Sequence, residues 1–220
     1  KRRALYISFL PSIAQFGKGL AAAIAGLAAA SLTDPEMLSW GWRIPFLLAL
    51  PLGVIGLYMR LSIEDSPEFA SKKNDAEVKK GQPFAELLRD YRKPLVKVIM
   101  IAMVQNIGTY IGTVFIAAYF SSILGYSKGE ASTIVLIAVI LAAFLIPLAG
   151  QLGSYRGGKS ILSYSYVAYA AVSIPSFMLM QQGSVNLAMA GLALGMIPYA
   201  LCQAGTYSVM PEFFPMHIRH

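Results

Sequence analysis

Six long, mostly apolar stretches follow one another along the chain, and a helix needs only about 20 such residues to cross the ~30 Å hydrocarbon core of a bilayer. They run from about Ala4 to Ala30, Ile44 to Arg60, Leu95 to Ile123, Ala131 to Leu152, Ile161 to Met180 and Val185 to Met210. The runs are continuous and not alternating, which suits spanning helices and not barrel strands. Each contains a proline or glycine (Pro11, Pro51, Gly108, Pro147, Pro175, Pro198), which membrane helices tolerate better than soluble ones. Composition points the same way. Of the 220 residues 56% are hydrophobic and 13% charged, against ~25% charged in soluble domains. The sequence therefore predicts an all-α integral membrane protein with six transmembrane helices.

The same arithmetic excludes several classes of function. A single cysteine, Cys202, rules out a disulfide scaffold and a cysteine-based metal site. The two histidines, His217 and His220, stand at the end of the chain. No cluster of His, Asp or Glu lies within the spans, so neither an intramembrane enzyme nor a metal or other cofactor is expected.

Orientation follows from the distribution of Lys and Arg, which favour the cytoplasmic side. Alternating the spans places Lys1, Arg2, Arg3, the whole Arg60–Lys97 connection, Arg156, Lys159 and Arg219 on one side. The other side receives Arg43 and Lys128, and Lys18 falls inside a span. Both ends of the chain and the long connection are thus expected in the cytoplasm. The net charge of +7 is a topology signal and not a nucleic-acid footprint, because the basic residues flank spans and share the long connection with Glu64, Asp65, Glu68, Asp75, Glu77, Glu86 and Asp90.

Within that connection, Ser66-Pro67-Glu68 has the form of a helix start, with serine as N-cap and proline at the first helical position. Lys72–Gly81 is polar. Phe84, Leu87, Leu88 and Tyr91 then recur at a spacing of three to four opposite Glu86, Arg89 and Asp90, which predicts an amphipathic helix at the membrane interface. It either bridges two helix bundles or serves as a tether with one adhesive face.

Gly153-Ser154-Tyr155-Arg156-Gly157-Gly158-Lys159-Ser160 fits the phosphate-loop pattern G-x-x-x-x-G-K-[ST]. A nucleotide cradle must follow a buried strand, open a helix and find a carboxylate for Mg²⁺. Here one span precedes the motif and another follows, and no Asp or Glu occurs between Glu130 and Glu212. No nucleotide is expected, and the glycines belong to a cytoplasmic turn.

That turn is informative in another way. Gly150–Ser160 resembles the loop signature G-x-x-x-D-R-x-G-R-[RK] of major facilitator superfamily transporters, found between the second and third helices of each six-helix half. Gly150, Gly157 and Lys159 match, while Ser154, Tyr155 and Gly158 replace the Asp and two Arg. Trp40-Gly41-Trp42-Arg43-Ile44-Pro45-Phe46 resembles the entry to the sixth helix in the metabolite:proton symporter family, which includes proline/betaine, citrate, α-ketoglutarate and shikimate carriers. Leu61–Phe69 is similar to the L-x-E-[ST]-P-x-F stretch that follows that helix. Pro211–Arg219 resembles the P-E-x-F-P-x-x-x-R turn after the tenth, and Lys1-Arg2-Arg3 the end of the equivalent turn after the fourth.

The resemblance implies that the chain is the middle part of a twelve-helix major facilitator fold, helices five to ten. Residues 1–60 would be the last two helices of the N-terminal half, 61–94 the cytoplasmic inter-half loop, and 95–220 the first four helices of the C-terminal half. It implies a secondary active transporter, a proton-coupled symporter of a small carboxylate or zwitterionic metabolite working by alternating access. Such a protein is expected as a monomer in the bacterial cytoplasmic (inner) membrane, with Gly150, Arg156, Gly157 and Lys159 in a gating loop. The alternative is a non-transporting multi-span protein, a sensor or an inactive remnant.

Polar side chains at mid-membrane depth are costly and tend to mark a pathway. At 1.5 Å per residue the bilayer centre lies about ten residues along each span. Gln15 and Lys18 lie there in the first span; Gln105, Asn106, Thr109, Tyr110 and Thr113 in the third; Tyr199, Gln203, Thr206 and Tyr207 in the last. They form either a central solute site, as carriers have near the midplane, or inter-helical hydrogen bonds worth about 0.6 kcal/mol each. Gln15, Lys18, Gln105, Asn106, Thr109, Tyr110, Tyr199 and Gln203 are the candidate substrate-binding residues. Lys18 has three readings: it holds a substrate carboxylate, pairs with an acidic residue on another helix, or snorkels to the interface.

Overall fold

The computed structural model describes residues 2–62 and 83–214. In chain order they form α1 (Arg3–Ser31), α2 (Asp34–Ser39), a 3₁₀ turn (Gly41–Arg43), α3 (Ile44–Ser62), α4 (Pro83–Asp90) and α5 (Arg92–Tyr110). A π-helical turn (Ile111–Phe115) leads from α5 into α6 (Ile116–Ser122). Then come α7 (Lys128–Arg156), α8 (Gly158–Met180), α9 (Val185–Val209) and a closing 3₁₀ turn (Met210–Phe213). Six helical segments are long and apolar enough to cross a membrane: Arg3–Ala28, Gly41–Ser62, Arg92–Ser122, Gly129–Arg156, Gly158–Met180 and Val185–Phe213. They coincide with the six expected spans to within a few residues at each end. The expected helix start at Ser66, the polar stretch Lys72–Gly81 and the turn beyond Phe214 lie outside the described residues.

The helix ends follow local chemistry. α7 opens on a capping box, in which the Glu130 amide donates to Ser127 Oγ (3.2 Å) and the Ser127 amide to Glu130 Oε2 (2.9 Å). It closes at Gly157, the single residue between α7 and α8, whose φ of +86° lies where a side chain is strained. α4 forms where the Phe84–Tyr91 periodicity predicts a helix, and it stops before Tyr91.

The chain divides into two compact units. The first combines the residues up to Leu20 with Lys93–Phe214, so it joins the first part of α1 to the four spans after the long connection. Its core mixes a few large side chains (Ile116, Phe120, Ile134, Ile146, Met196) with many alanines (Ala131, Ala138, Ala142, Ala188, Ala200, Ala204). Small residues let helices approach closely where lipid tails remove any hydrophobic drive between them.

α1 and α7 pack antiparallel along one such seam. The Leu5 amide donates to Ser154 Oγ (3.0 Å), Ser12 Oγ donates to the Ala143 carbonyl (2.6 Å), and Phe16 meets Phe144 edge to face at 5.1 Å. A Cβ on Gly150 would collide with the Ser8 side chain and come within 3.0 Å of the Ala4 carbonyl. Glycine at 150 is therefore a packing requirement of the seam.

The second unit comprises the described residues of Ala21–Arg92. Thr33 and Glu36 cap α2 reciprocally. Gly41 is buried against Leu32 and Met37, while Arg43 bonds the Ser39 carbonyl (2.6 Å) and lies over the Trp42 ring at 4.5 Å. The side chains of α3, among them Leu47, Leu50, Val54, Leu57 and Tyr58, are exposed. An apolar helix of this length suits a hydrocarbon surrounding.

Candidate functional site

The mid-depth polar residues of three helices meet inside the first unit. Gln15 of α1, Tyr199 of α9 and Gln203 of α9 are 2%, 3% and 4% exposed. The Gln15 Nε2 donates to the Tyr199 hydroxyl. Gln203, one turn along α9, donates from Nε2 to the same hydroxyl (2.7 Å) and to Thr109 Oγ1 of α5 (3.2 Å). Gln105 Nε2 of α5 donates to Gln203 Oε1 (2.7 Å), and the Thr109 hydroxyl donates to the Gln105 backbone carbonyl (2.9 Å). The i, i+4 spacing of Gln105 with Thr109, and of Tyr199 with Gln203, puts each pair on one helix face.

The cluster is not closed. Among the described residues Gln15 Oε1 is buried without a hydrogen-bond partner, and such an orphan costs about 1–3 kcal/mol. The amide nitrogens of Gln15 and Gln105 each carry two N–H donors, one of which is committed in the bonds above. The remaining amide N–H donors of a neutral cluster such as this are groups that can hydrogen-bond a carboxylate.

Tyr199 also lines a cavity of about 330 Å³ between α5, α8 and α9. Tyr166, Tyr169, Phe177, Met196 and Gly108 contribute to its walls, as do Ile111 and Gly112 of the π turn. Among the described residues no acidic or basic side chain lines it. Gly108 makes room for Tyr169, whose hydroxyl would be 3.0 Å from a Cβ there. The sequence reading missed this cavity and its α8 tyrosines. The signal was Tyr166 and Tyr169 at i, i+3, with Gly108-x-x-x-Gly112 on the facing span.

The other candidates are placed elsewhere. Asn106 folds back onto its own helix, donating to the Ala102 carbonyl (2.8 Å). Tyr110 is 62% exposed, and Lys18, one turn beyond Gln15, is exposed too. The structure therefore brings together Gln15, Gln105, Thr109, Tyr199 and Gln203, and leaves Lys18, Asn106 and Tyr110 outside the cluster. Thr206 is fully buried, with its hydroxyl 3.9 Å from Cys202 Sγ. Among the described residues no three His, Cys, Asp or Glu side chains come together to hold a metal.

At the other end of the bundle, Gly153–Ser160 forms the end of α7, a one-residue turn and the start of α8. This is helix–turn–helix geometry, unlike the strand–loop–helix of a phosphate cradle. Gly150 is buried in the α1–α7 seam, while Arg156 and Lys159 are exposed, the former 6.0 Å from the Tyr164 ring. A cavity of about 200 Å³ beside the turn is lined by Arg3, Ser154, Gly157, Ser208 and Glu212 among others.

Comparison with known proteins places the chain. The family model of the Major Facilitator Superfamily matches residues 1–220. A glycine betaine/proline/ectoine/pipecolic acid transporter of Dickeya dadantii is 32% identical over 95% of the chain and 43% of its own length. A proline/betaine transporter of Escherichia coli K12 is 31% identical over the same shares. An ectoine/proline transporter of Corynebacterium glutamicum is 27% identical over 98% of the chain and 45% of its own length. The chain thus spans less than half the length of these curated relatives. No solved structure matches it. A family match over the whole chain, together with six helices of membrane-spanning length, makes this multi-pass membrane protein a member of the major facilitator superfamily.

Proposed function

We propose that this chain is part of a proton-coupled symporter that carries a small zwitterionic metabolite by alternating access, with Gln15, Gln105, Thr109, Tyr199 and Gln203 as the core of its solute site. The observation that carries the reading is a cluster of amides and hydroxyls drawn from three spans in which Gln15 and Gln105 each commit one of their two N–H donors, leaving donors for a solute carboxylate. Relatives whose names give betaine, proline and ectoine as solutes favour a zwitterion over a simple carboxylate. A net-neutral solute also suits a cluster built of amides and hydroxyls, since an unpaired charge buried there would be expensive.

In this reading the ends of the chain and the 61–94 connection face the cytoplasm of a bacterial cell, and the protein works as a monomer. The α7–α8 turn, with Gly150, Arg156, Gly157 and Lys159, belongs to the gate. Lys18 supplies a positive charge one turn from Gln15 and pairs with a carboxylate, either the solute's or one on another helix. Transport is tested with the full gene product in proteoliposomes, following labelled proline and glycine betaine with and without an inward proton gradient. Accumulation that follows the gradient is expected. Failure to accumulate any zwitterion or carboxylate under a gradient sinks the proposal.

A further inference from the structure

The cavity beside the polar cluster suggests which part of the solute lies where. We propose that the 330 Å³ cavity between α5, α8 and α9 receives the alkylated ammonium group of a zwitterion, held by the aromatic side chains of Tyr166, Tyr169 and Tyr199, with the carboxylate turned toward the amides of Gln15 and Gln105. This assignment rests on the cluster being the solute site, as proposed above.

Four observations support it. First, the volume is at the small end of the range for ligand pockets, enough for a compact solute. Second, among the described residues no acidic side chain lines the cavity, so a cation there is held without a lining carboxylate. A quaternary ammonium spreads its charge over methyl groups and is held by aromatic faces without one. Third, the serines of the wall have their hydroxyl protons committed. Ser176 Oγ donates to the Gly191 carbonyl at 2.6 Å, and Ser173 Oγ donates to the Tyr169 carbonyl. With those protons committed, what the serines can offer is oxygen lone pairs, against which the positively polarised methyl groups of an alkylated ammonium can rest. Fourth, Tyr199 belongs to both places: it lines the cavity, and its hydroxyl takes the Gln15 and Gln203 bonds. One residue thus joins an aromatic pocket to an amide cluster, matching the two ends of a betaine.

The test compares glycine betaine with 3,3-dimethylbutanoate, which has the same shape and carboxylate but a neutral carbon in place of the ammonium nitrogen. In proteoliposomes of the full gene product, glycine betaine should compete for labelled betaine uptake at least tenfold better than the neutral probe. Tyr169→Leu should remove most of that preference, and Tyr169→Phe, which keeps the ring, should restore it. Equal competition by the two probes in the unmodified protein overturns the assignment without recourse to any variant. So does a preference that survives in the Tyr166→Leu/Tyr169→Leu double variant. The two levels of proposal fail differently. Saturable uptake that depends on Gln203 but ignores the ammonium charge discards the cavity alone, whereas no saturable uptake of any zwitterion discards the solute site with it.

Discussion

Gln15 and Tyr199 stand 184 positions apart in the sequence, yet the amide of one donates to the hydroxyl of the other in the middle of the bundle. The bond ties α1 to α9 at the point where Gln203 and Thr109 also converge. Removing the Tyr199 hydroxyl leaves two amide donors short of an acceptor. Tyr199→Phe should therefore lower thermal stability by about 1–3 kcal/mol, more than the ~0.6 kcal/mol of an average bond between membrane helices. It should also raise the KM for the solute at least tenfold. A double-mutant cycle with Gln15→Leu, read by melting and uptake, separates the effects. A stability loss with no change in KM would return the cluster to a purely structural role.

Lys18 is exposed one turn from Gln15. With its ammonium outside the amide cluster, Lys18→Met should raise the KM while moving the melting temperature by less than about 2 °C, well short of the 2–4 °C that each kcal/mol costs a protein of this size. A large loss of stability with unaltered KM would assign the lysine to an ion pair with another helix.

The α1–α7 seam depends on the absence of a side chain at position 150. Gly150→Ala sets a methyl group against Ser8 and the Ala4 carbonyl and should cost about 1–3 kcal/mol, the range for overpacking. Gly129→Ala, where the added methyl meets nothing within 4 Å, is the matched control and should be neutral or slightly stabilising. Ser8→Gly in the Gly150→Ala background should recover part of the loss. Melting of the purified variants in detergent decides the case.

Gly157 tests the turn. Its φ of +86° with ψ 145° makes any L-residue strained, so Gly157→Ala should destabilise by about 1–3 kcal/mol, although there is open space around it. If Gly157→Ala melts with the unmodified protein, backbone conformation is not what fixes the α7–α8 junction.

The Thr33 amide and hydroxyl both donate to the Glu36 carboxylate, at 2.9 and 2.7 Å. They hold its pKa below the ordinary glutamate value, with the amide bond the larger cause. Because the folded value is depressed, the contribution to α2 is fully present above the unfolded pKa of about 4.3 and is lost as pH falls through the folded value. Amide exchange at Met37, whose N–H bonds the Thr33 carbonyl at 2.8 Å, should accelerate relative to a Glu36→Gln reference as pH drops below about 4. A constant ratio across that range would remove the carboxylate from the cap.

Depth was legible in the sequence and azimuth was not. Helical rise alone puts Gln105 and Asn106 at the same level, and both qualified as site residues. Their side chains leave the helix about 100° apart, so one reaches Gln203 while the other turns back to the Ala102 carbonyl. Only the identity of the neighbouring helix decides between them. The six spans were plain because long apolar runs have few alternatives. The union of the start of α1 with α7 was hidden, because it rests on Ser8, Ser12, Gly150 and Ser154, small residues with no distinctive pattern of their own. The cavity escaped for a related reason, since tyrosines at i, i+3 read equally well as lipid-facing or packed.

The π turn at Ile111–Phe115 has a consequence for heredity. A π turn accommodates one residue more than an α-helix would over the same length. The side chains beyond it, Ile116 and Phe120, are turned into the core, while Gln105 and Thr109 before it face the amide cluster. Loss of a single codon between Ile111 and Phe115 would leave every span intact in length and hydropathy. With the surplus residue gone the segment can close as a regular α-helix over the same length, so that Gln105 and Thr109 before it and Ile116 and Phe120 beyond it keep their facing. The π turn is therefore the one place in this span where a lost residue can be absorbed, whereas the same loss in the regular helix on either side would turn its ends by about 100° against each other.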